Sequence, residues 1–278
     1  MKLSDLRLRL AAAGIDDPET EARLLFAHAT GQPAHRLIGG DPDCGDPALE
    51  ELLAKRLSRV PLQYLVGSVD FFRETYRVTP DVLIPRPDTE LLVEEAIKRI
   101  PAGARIADLC CGSGCIGISV LANRPDLTCV SVDLSPAAVA LTKENAETNG
   151  VSDRISVVCA DLFSLPADLS GFGALLCNPP YIARSVIPTL SPEVLHEPKT
   201  ALDGGEDGLD FYREIARRLP TLLAPGGIAL LEIGYDQADA VKELFAGAGA
   251  PPEVLSDYGG NPRLAILSRP RTAPPSSA

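Results

Sequence analysis

The apolar positions of the first 60 residues recur at helical spacing. Leu3, Leu6 and Leu10 share one face. Asp17-Pro18-Glu19 and Asp46-Pro47 carry the marks of helix starts: a capping side chain followed by proline at the first helical position. Leu49, Leu52, Leu53, Leu57 and Val60 continue the helical period, and no strand pattern interrupts it, so a small helical bundle is expected. Between residues 61 and 84 the pattern becomes β-favouring at Phe71-Phe72, Tyr76, Val78, Val82 and Ile84, with turn residues at Gly67 and Pro80-Asp81. This predicts a hairpin between two domains. From about residue 88 strand and helix alternate. The strands are expected at Arg105–Cys110, Thr128–Asp133, Ile155–Cys159, Ala174–Cys177, Gly227–Ile233 and Arg263–Ser268, with helices such as Pro136–Asn149 and Gly208–Leu223. Apolar runs such as Ile228–Ile233 suit strands buried on both faces. The expected fold is α/β: a mostly parallel, doubly wound, Rossmann-like sheet with a small N-terminal helical domain. The boundaries follow as 1–65 helical, 66–84 hairpin, 85–268 α/β and 269–278 a disordered Pro/Ser-rich tail.

Composition narrows the class. Of the 278 residues 45% are apolar and 23% charged, which excludes a fibrous or wholly disordered chain. Twenty-six Lys and Arg against 38 Asp and Glu leave a net charge of −12, which argues against a grip on nucleic acid through phosphates. No window approaches the roughly 18 consecutive apolar residues of a membrane span, and the N-terminus lacks the apolar middle of a signal peptide. A cytoplasmic protein without a membrane partner is expected, with a monomer as the simplest state. The seven cysteines sit mostly in apolar runs and read as reduced core residues. Cys110, Cys111 and Cys115 have no nearby histidine or second cysteine pair, so packing is preferred to a metal site.

Three segments carry candidate chemistry. Asp108-Leu109-Cys110-Cys111-Gly112-Ser113-Gly114 ends a strand and opens a helix, where glycines let a ligand approach the backbone and the helix N-terminus offers free N–H groups. By itself this is equally a tight turn that binds nothing. Asp133 closes the next strand, about 20 residues on, where an acid accepts ribose hydroxyls; it also suits a cap for the helix after Ser135-Pro136. Gly112, Gly114 and Gly117 keep a pyrophosphate-binding dehydrogenase open. Asn178-Pro179-Pro180-Tyr181 directly follows a buried strand. The prolines fix an extended backbone and lack N–H groups, so the stretch offers carbonyl acceptors, the Asn side-chain acceptor and a flat ring. Such a pocket accepts both hydrogens of a planar –NH₂ group and orients its delocalised lone pair towards an electrophile.

The tetrapeptide at 178–181, with Asp108, Gly112-Ser113-Gly114 and Asp133, resembles the amino-group branch of S-adenosylmethionine-dependent methyltransferases, which includes DNA adenine-N6 and protein glutamine-N5 enzymes. Residues 61–67 (PLQYLVG), 82–94 (VLIPRPDTELLVE), 201–215, 232–241 and 257–263 are similar to the peptide chain release factor N5-glutamine methyltransferases, the HemK/PrmC family. Residues 13–31 resemble that family's helical domain. The likeness runs from the first helix to residue 268.

The resemblance implies S-adenosyl-L-methionine as cofactor and class 1 release factors as partners, with methylation of the glutamine in their Gly-Gly-Gln motif. Cys110, Cys111, Gly112, Ser113 and Gly114 would hold the methionine part, Asp133 the ribose, and Asp161-Leu162 would lie beside the adenine. Asn178 and the Pro179 carbonyl would hold the glutamine amide, Asn178 also facing the cofactor, with Pro180 and Tyr181 completing the pocket. The helical domain would dock the factor. A ribosomal-protein glutamine methyltransferase is the nearest alternative, and a DNA adenine methyltransferase would want a basic groove. Cys110-Cys111 stand where the family usually has Gly-Thr or a similar pair, so a side chain at Cys110 is expected either to crowd the cofactor or to restrict the turn, with cofactor affinity rather than identity at stake. The loop 182–207 reads as a lid or a solvated connection, and Arg86 as a cofactor-entry residue or the partner of a surface acid.

Overall fold

In the structure, a computed structural model that describes residues 1–271, internal contacts divide the chain into two units. The first comprises Met1–Ser68 with Leu190–His196. Its helices are α1 (Leu3–Ala12), α2 (Pro18–Thr30), α3 (Pro47–Leu57) and the short α4 (Leu62–Val66). The two predicted caps are made: Asp17 accepts from the Thr20 N–H and Asp46 from the Ala48 N–H, each with proline opening the helix. Leu6, Leu10, Leu25, Phe26, Leu49 and Leu53 bury together as the core of this unit. Residues 190–196 join it through charge. The Arg56 guanidinium, almost fully buried, donates to Glu21 at 2.6 Å and to Glu193 at 3.1 Å, and Arg59 also reaches Glu193.

The second unit opens with the hairpin β1 (Ser68–Phe71) and β2 (Glu74–Arg77). The contact boundary falls at Ser68/Val69, so nearly all of the hairpin groups with this unit. The physical reason is burial: Phe71 and Tyr76 enter its core, and the Tyr76 hydroxyl hydrogen-bonds Ser119 at 2.6 Å. There follow α5 (Glu90–Arg99), β3 (Arg105–Leu109), α6 (Cys115–Asn123), β4 (Thr128–Asp133), α7 (Pro136–Thr148), β5 (Ile155–Cys159) and β6 (Phe172–Cys177), then α8 (Asp210–Leu222), β7 (Leu223–Glu232), α9 (Ala238–Gly247), β8 (Glu253–Ser256) and β9 (Pro262–Ser268).

The seven-stranded sheet runs β5-β4-β3-β6-β7-β9-β8. The first five strands are parallel, while β9 runs antiparallel to both β7 and β8. All six predicted strands are present. The seventh, β8, is four residues long and only half-buried, too short for a pattern, and exists because β9 pairs with it. Alternate residues of the sheet serve two cores. Leu109, Leu175 and Leu231 face Tyr212 and Ile215 of α8 and Phe245 of α9. Ile106, Leu176 and Leu230 face Leu92 and Val93 of α5 and Ile118 of α6.

Backbone pairing continues past β9: the Arg269 N–H donates to the Gly227 carbonyl at 2.8 Å, inside the segment expected as tail, whose residues 272–278 lie outside the described residues. Among the described residues no helix is long and apolar enough to cross a membrane. The chain leaves β3 to build one side of the sheet and crosses back to β6 for the other. The carboxyl ends of β3 and β6 therefore flank the switch point where open α/β sheets bind ligands.

Candidate active site

The turn after β3 is closed by its own bond from the Gly114 N–H to the Cys111 carbonyl at 2.7 Å and is further held by its neighbours. The Cys111 N–H donates to the Val132 carbonyl at 3.1 Å. Thr142 of α7 donates to the Gly112 carbonyl at 3.0 Å and Asn145 to the Ser113 carbonyl at 2.9 Å. The Gly112 N–H donates to Asp133 Oδ2 at 2.8 Å, and the Ser135 N–H to Oδ1 at 2.9 Å. Cys110, Gly112 and Gly114 all have positive φ, of 57°, 54° and 81°. At Cys110 a side chain occupies left-handed backbone, which costs about 1–2 kcal/mol. The expected restriction of the turn is there in the backbone.

Over this turn lies a cavity of about 480 Å³. Leu109, Val132, Leu162 and Phe163 supply apolar wall; Cys110, Gly112, Asp133, Asn178 and Pro180 also border it. A Cβ built on Gly112 would meet nothing within 4 Å, so a ligand has free access to that backbone. The lining carries three carboxylates, Asp81, Asp133 and Asp161, and no Lys, Arg or His among the described residues. Burial raises the Asp133 pKa above its ordinary value, against the pull of the Ser135, Gly112 and Leu134 backbone N–H groups.

Five of the predicted site residues do not line this cavity: Cys111, Ser113, Gly114, Pro179 and Tyr181. Cys111 is buried, its thiol 3.5 Å from Thr142 Oγ1, and Ser113 is buried under Asn145. Gly114 is pressed against Thr142 and Ile118, where a Cβ would stand 2.7 Å from the Thr142 methyl. These three shape the turn. Tyr181 turns its hydroxyl to Glu232 Oε1 at 3.4 Å instead of presenting it to the cavity.

Two acids below the site are strongly perturbed. Asp108, fully buried in β3, is pushed up to about 7 by loss of water, eased by the Gly117 N–H on Oδ2. Its Oδ1 meets no donor at hydrogen-bonding geometry, although Ser131 stands near. A carboxyl kept protonated tolerates that orphan better than a carboxylate would. Glu232 ends β7 and is likewise pushed up to about 7, mainly by burial. Thr89 donates to its Oε2 at 2.6 Å, and Asn178 Nδ2 donates to Thr89 Oγ1 at 3.3 Å. Reading residue by residue missed both Thr89 and Glu232. The available signal was a lone acid closing an apolar strand, the same placement that drew attention to Asp133.

Arg86 pairs with Glu197, whose other oxygen accepts the Ile84 N–H at 3.1 Å. Its acid is buried, not on the surface as considered from sequence. The loop after Tyr181 is accordingly pinned at Glu197 to the segment before α5. Of the cysteines expected as core residues, Cys159 is exposed on the edge strand β5 and Cys110 is half-buried; the others are buried.

Two protein families match this chain. The PrmC N-terminal domain matches residues 3–67 and the methyltransferase small domain residues 87–207. A "Release factor glutamine methyltransferase" of Cereibacter sphaeroides is 44% identical over 268 residues, spanning 94% of this chain and 95% of that protein. The chain belongs to the release factor glutamine methyltransferase family. A member of the same name from Moorella thermoacetica is 39% identical over 94% of this chain and 95% of its own length. A solved methyltransferase structure from Pyrococcus furiosus, at 14% identity, overlaps 70% of this chain and 88% of its own with a TM-score of 0.53, which speaks to the fold alone. The α/β unit thus has the Rossmann-like class I methyltransferase fold, with which its sheet order agrees.

Proposed function

We propose that this chain transfers a methyl group from S-adenosyl-L-methionine to the side-chain amide nitrogen of a glutamine in a class 1 peptide chain release factor, the glutamine of the Gly-Gly-Gln motif. The observation that carries the reading is Asn178-Pro179-Pro180 at the carboxyl end of β6, with Asn178 and Pro180 bordering the cavity beside the β3 turn. Family membership supports the protein substrate.

The residues present fit the cofactor. Apolar walls suit an adenine ring, and the open backbone at Gly112 suits a closely seated chain. Carboxylates without a facing cation suit a ligand bearing sulfonium and ammonium charge, and they repel a pyrophosphate. That lining disfavours the dinucleotide alternative left open by the glycine spacing. Asp133 retains a lone pair on each oxygen after serving Gly112 and Ser135, so it has capacity for ribose hydroxyls. Bound there, S-adenosylmethionine supplies a methyl group on an electrophilic sulfur.

The protein's own part is alignment and exclusion of water. In this reading Asn178 Oδ1 accepts one amide hydrogen of the substrate glutamine, and the Pro179 carbonyl, assigned from the family resemblance although Pro179 does not itself line the cavity, accepts the other. That holds the –NH₂ plane and turns its lone pair towards the methyl. No dedicated strong base is invoked, since a methylated amide nitrogen gives up its extra proton to solvent readily.

The test is mass spectrometry of an unmethylated class 1 release factor incubated with the protein and S-adenosylmethionine, then digested and mapped. One added methyl on the Gly-Gly-Gln glutamine is expected. No gain, with cofactor binding demonstrated by calorimetry, overturns the release-factor assignment and moves the search to a ribosomal-protein glutamine.

A further inference from the structure

Asn178 is a symmetric-looking side chain with unlike ends. Its Oδ1 accepts and its Nδ2 donates, and rotation by half a turn exchanges them. An amide that is to hold a substrate –NH₂ must present oxygen; the flipped form presents hydrogens to hydrogens. Something has to choose.

The surroundings of Asn178 contain a chain of hydrogen bonds with a defined direction. It starts at Glu232, only 2% exposed at the end of β7. An ionised carboxylate accepts and cannot donate. Thr89, equally buried, gives its single hydroxyl hydrogen to Glu232 Oε2 at 2.6 Å. Having spent that hydrogen, Thr89 faces Asn178 only as an acceptor. Asn178 therefore turns its –NH₂ to Thr89, at 3.3 Å, and leaves Oδ1 for the cavity that it borders. Thr89 ends the 3-10 turn Pro87–Thr89 with helical backbone angles (φ −69°, ψ −18°), and its hydroxyl makes no helix cap, so its hydrogen is available to Glu232.

We propose that Thr89 and Glu232 are positioning residues that set the polarity of the Asn178 carboxamide, so that it meets the substrate amide as an acceptor. The proposal rests on the reading of Asn178 as the group that holds the substrate –NH₂.

The same chain has a reversed form. If Glu232 takes a proton on Oε2, the oxygen that faces Thr89, it donates to Thr89, Thr89 donates to Asn178, and the carboxamide flips its –NH₂ towards the substrate; a proton on Oε1, which faces Tyr181, leaves the productive direction in place. The charged and titratable groups around Glu232 are Asp88 before α5, Arg263 on β9, Tyr181 after β6, Tyr212 on α8 and Cys115 on α6. Arg263 and the two hydroxyl donors favour the ionised, productive form, whereas burial and Asp88 oppose it. Falling pH is therefore expected to lower the rate as Glu232 gains its proton, at about pH 7.

The test compares Thr89→Val, Thr89→Ser and Asn178→Ala in the full chain, with release factor as methyl acceptor. Calorimetric cofactor affinity and thermal unfolding are measured in parallel. Valine keeps the shape and removes the hydroxyl; serine restores it. Thr89→Val is expected to lower kcat/KM for release factor by roughly 10- to 100-fold, the range of one mispaired polar contact. Its cofactor Kd should stay within about twofold, and the neutral-pH limb of the rate profile should vanish. Thr89→Ser is expected to recover to within about threefold of wild type. Glu232→Gln, whose amide donates as well as accepts, is the second variant should Thr89→Val fail to fold: a low rate, flat with pH across about 6 to 8, is expected. Wild-type rates in Thr89→Val with Asn178→Ala inactive would overturn the positioning role alone. Equal losses in the valine and serine variants, or a Glu232→Gln profile like wild type, would also overturn it. Full activity in Asn178→Ala would instead overturn the amide-holding reading beneath it.

Discussion

Asp133 does two jobs at once at the level of the single residue. Its carboxylate fixes the turn through the Gly112 and Ser135 N–H groups and faces the cavity with its remaining lone pairs. Asp133→Ala is expected to weaken cofactor binding by at least the roughly 1–3 kcal/mol of orphaned donors and lost ligand bonds, which calorimetry reads directly. Unchanged affinity would remove Asp133 from the ribose site. The sequence marked this residue well, because a polar group that closes an apolar strand stands out. Glu232 stands out for the same reason, yet its role was illegible: only folding brings it to Thr89 and Asn178, which lie 143 and 54 positions away in the chain. Likewise Tyr181 follows the prolines in sequence, but its direction, towards Glu232, is a matter of tertiary packing.

At the scale of elements, α6 is built to approach the sheet closely. Gly117 sits on its buried face, and an added Cβ would stand 2.8 Å from Asp108 Oδ2 and 3.1 Å from Cys129 Sγ. Gly117→Ala improves helix propensity by up to about 1 kcal/mol. Overpacking against β3 and β4 costs about 1–3 kcal/mol, and the Gly117 N–H bond to Asp108 is disturbed as well. Net destabilisation is expected, read as a lower denaturation midpoint. A more stable variant would show that α6 can withdraw without penalty. This glycine had suggested the third glycine of a pyrophosphate motif. Its contact shows why it is glycine: close packing of helix on sheet, which is also the third glycine's role in a pyrophosphate motif, so this position does not separate the two readings. The predicted caps at Asp17 and Asp46 were legible because capping is local chemistry, complete within three residues.

For the whole molecule, buried acids set a pH dependence opposite to that of surface ion pairs. Asp108 holds its proton to about pH 7 when folded, against an ordinary value of 3.8. Between these limits the unfolded chain releases the proton and the folded one keeps it. Folding therefore binds a proton there, and stability falls as pH rises through the window, by about 4 kcal/mol for this group taken alone. Asp108→Asn removes the titration. Denaturant unfolding should show the variant gaining on wild type steadily between about pH 4 and 7, and parallel curves would contradict the assignment. Asp126 works in the other sense, since Arg124 and the Gly103 N–H hold it far below its ordinary value, which is why the comparison with the variant is needed.

The sequence by itself determined the local and the periodic features. Caps, the alternation of strand and helix, the glycine turn, the strand-end acid and the proline-rich tetrapeptide depend on neighbours within a few residues, so they can be read in a line. It also carried family membership, through motifs spread over nearly the whole chain. Tertiary structure decided what depends on residues far apart. It placed 190–196 with the helical unit through Arg56, buried the hairpin by Phe71 and Tyr76, and added β8 as a partner for β9. It also turned Thr89 and Glu232 towards Asn178. The direction of a hydrogen bond is set by which groups meet and which of them is ionised, and a linear sequence specifies neither until the chain has folded.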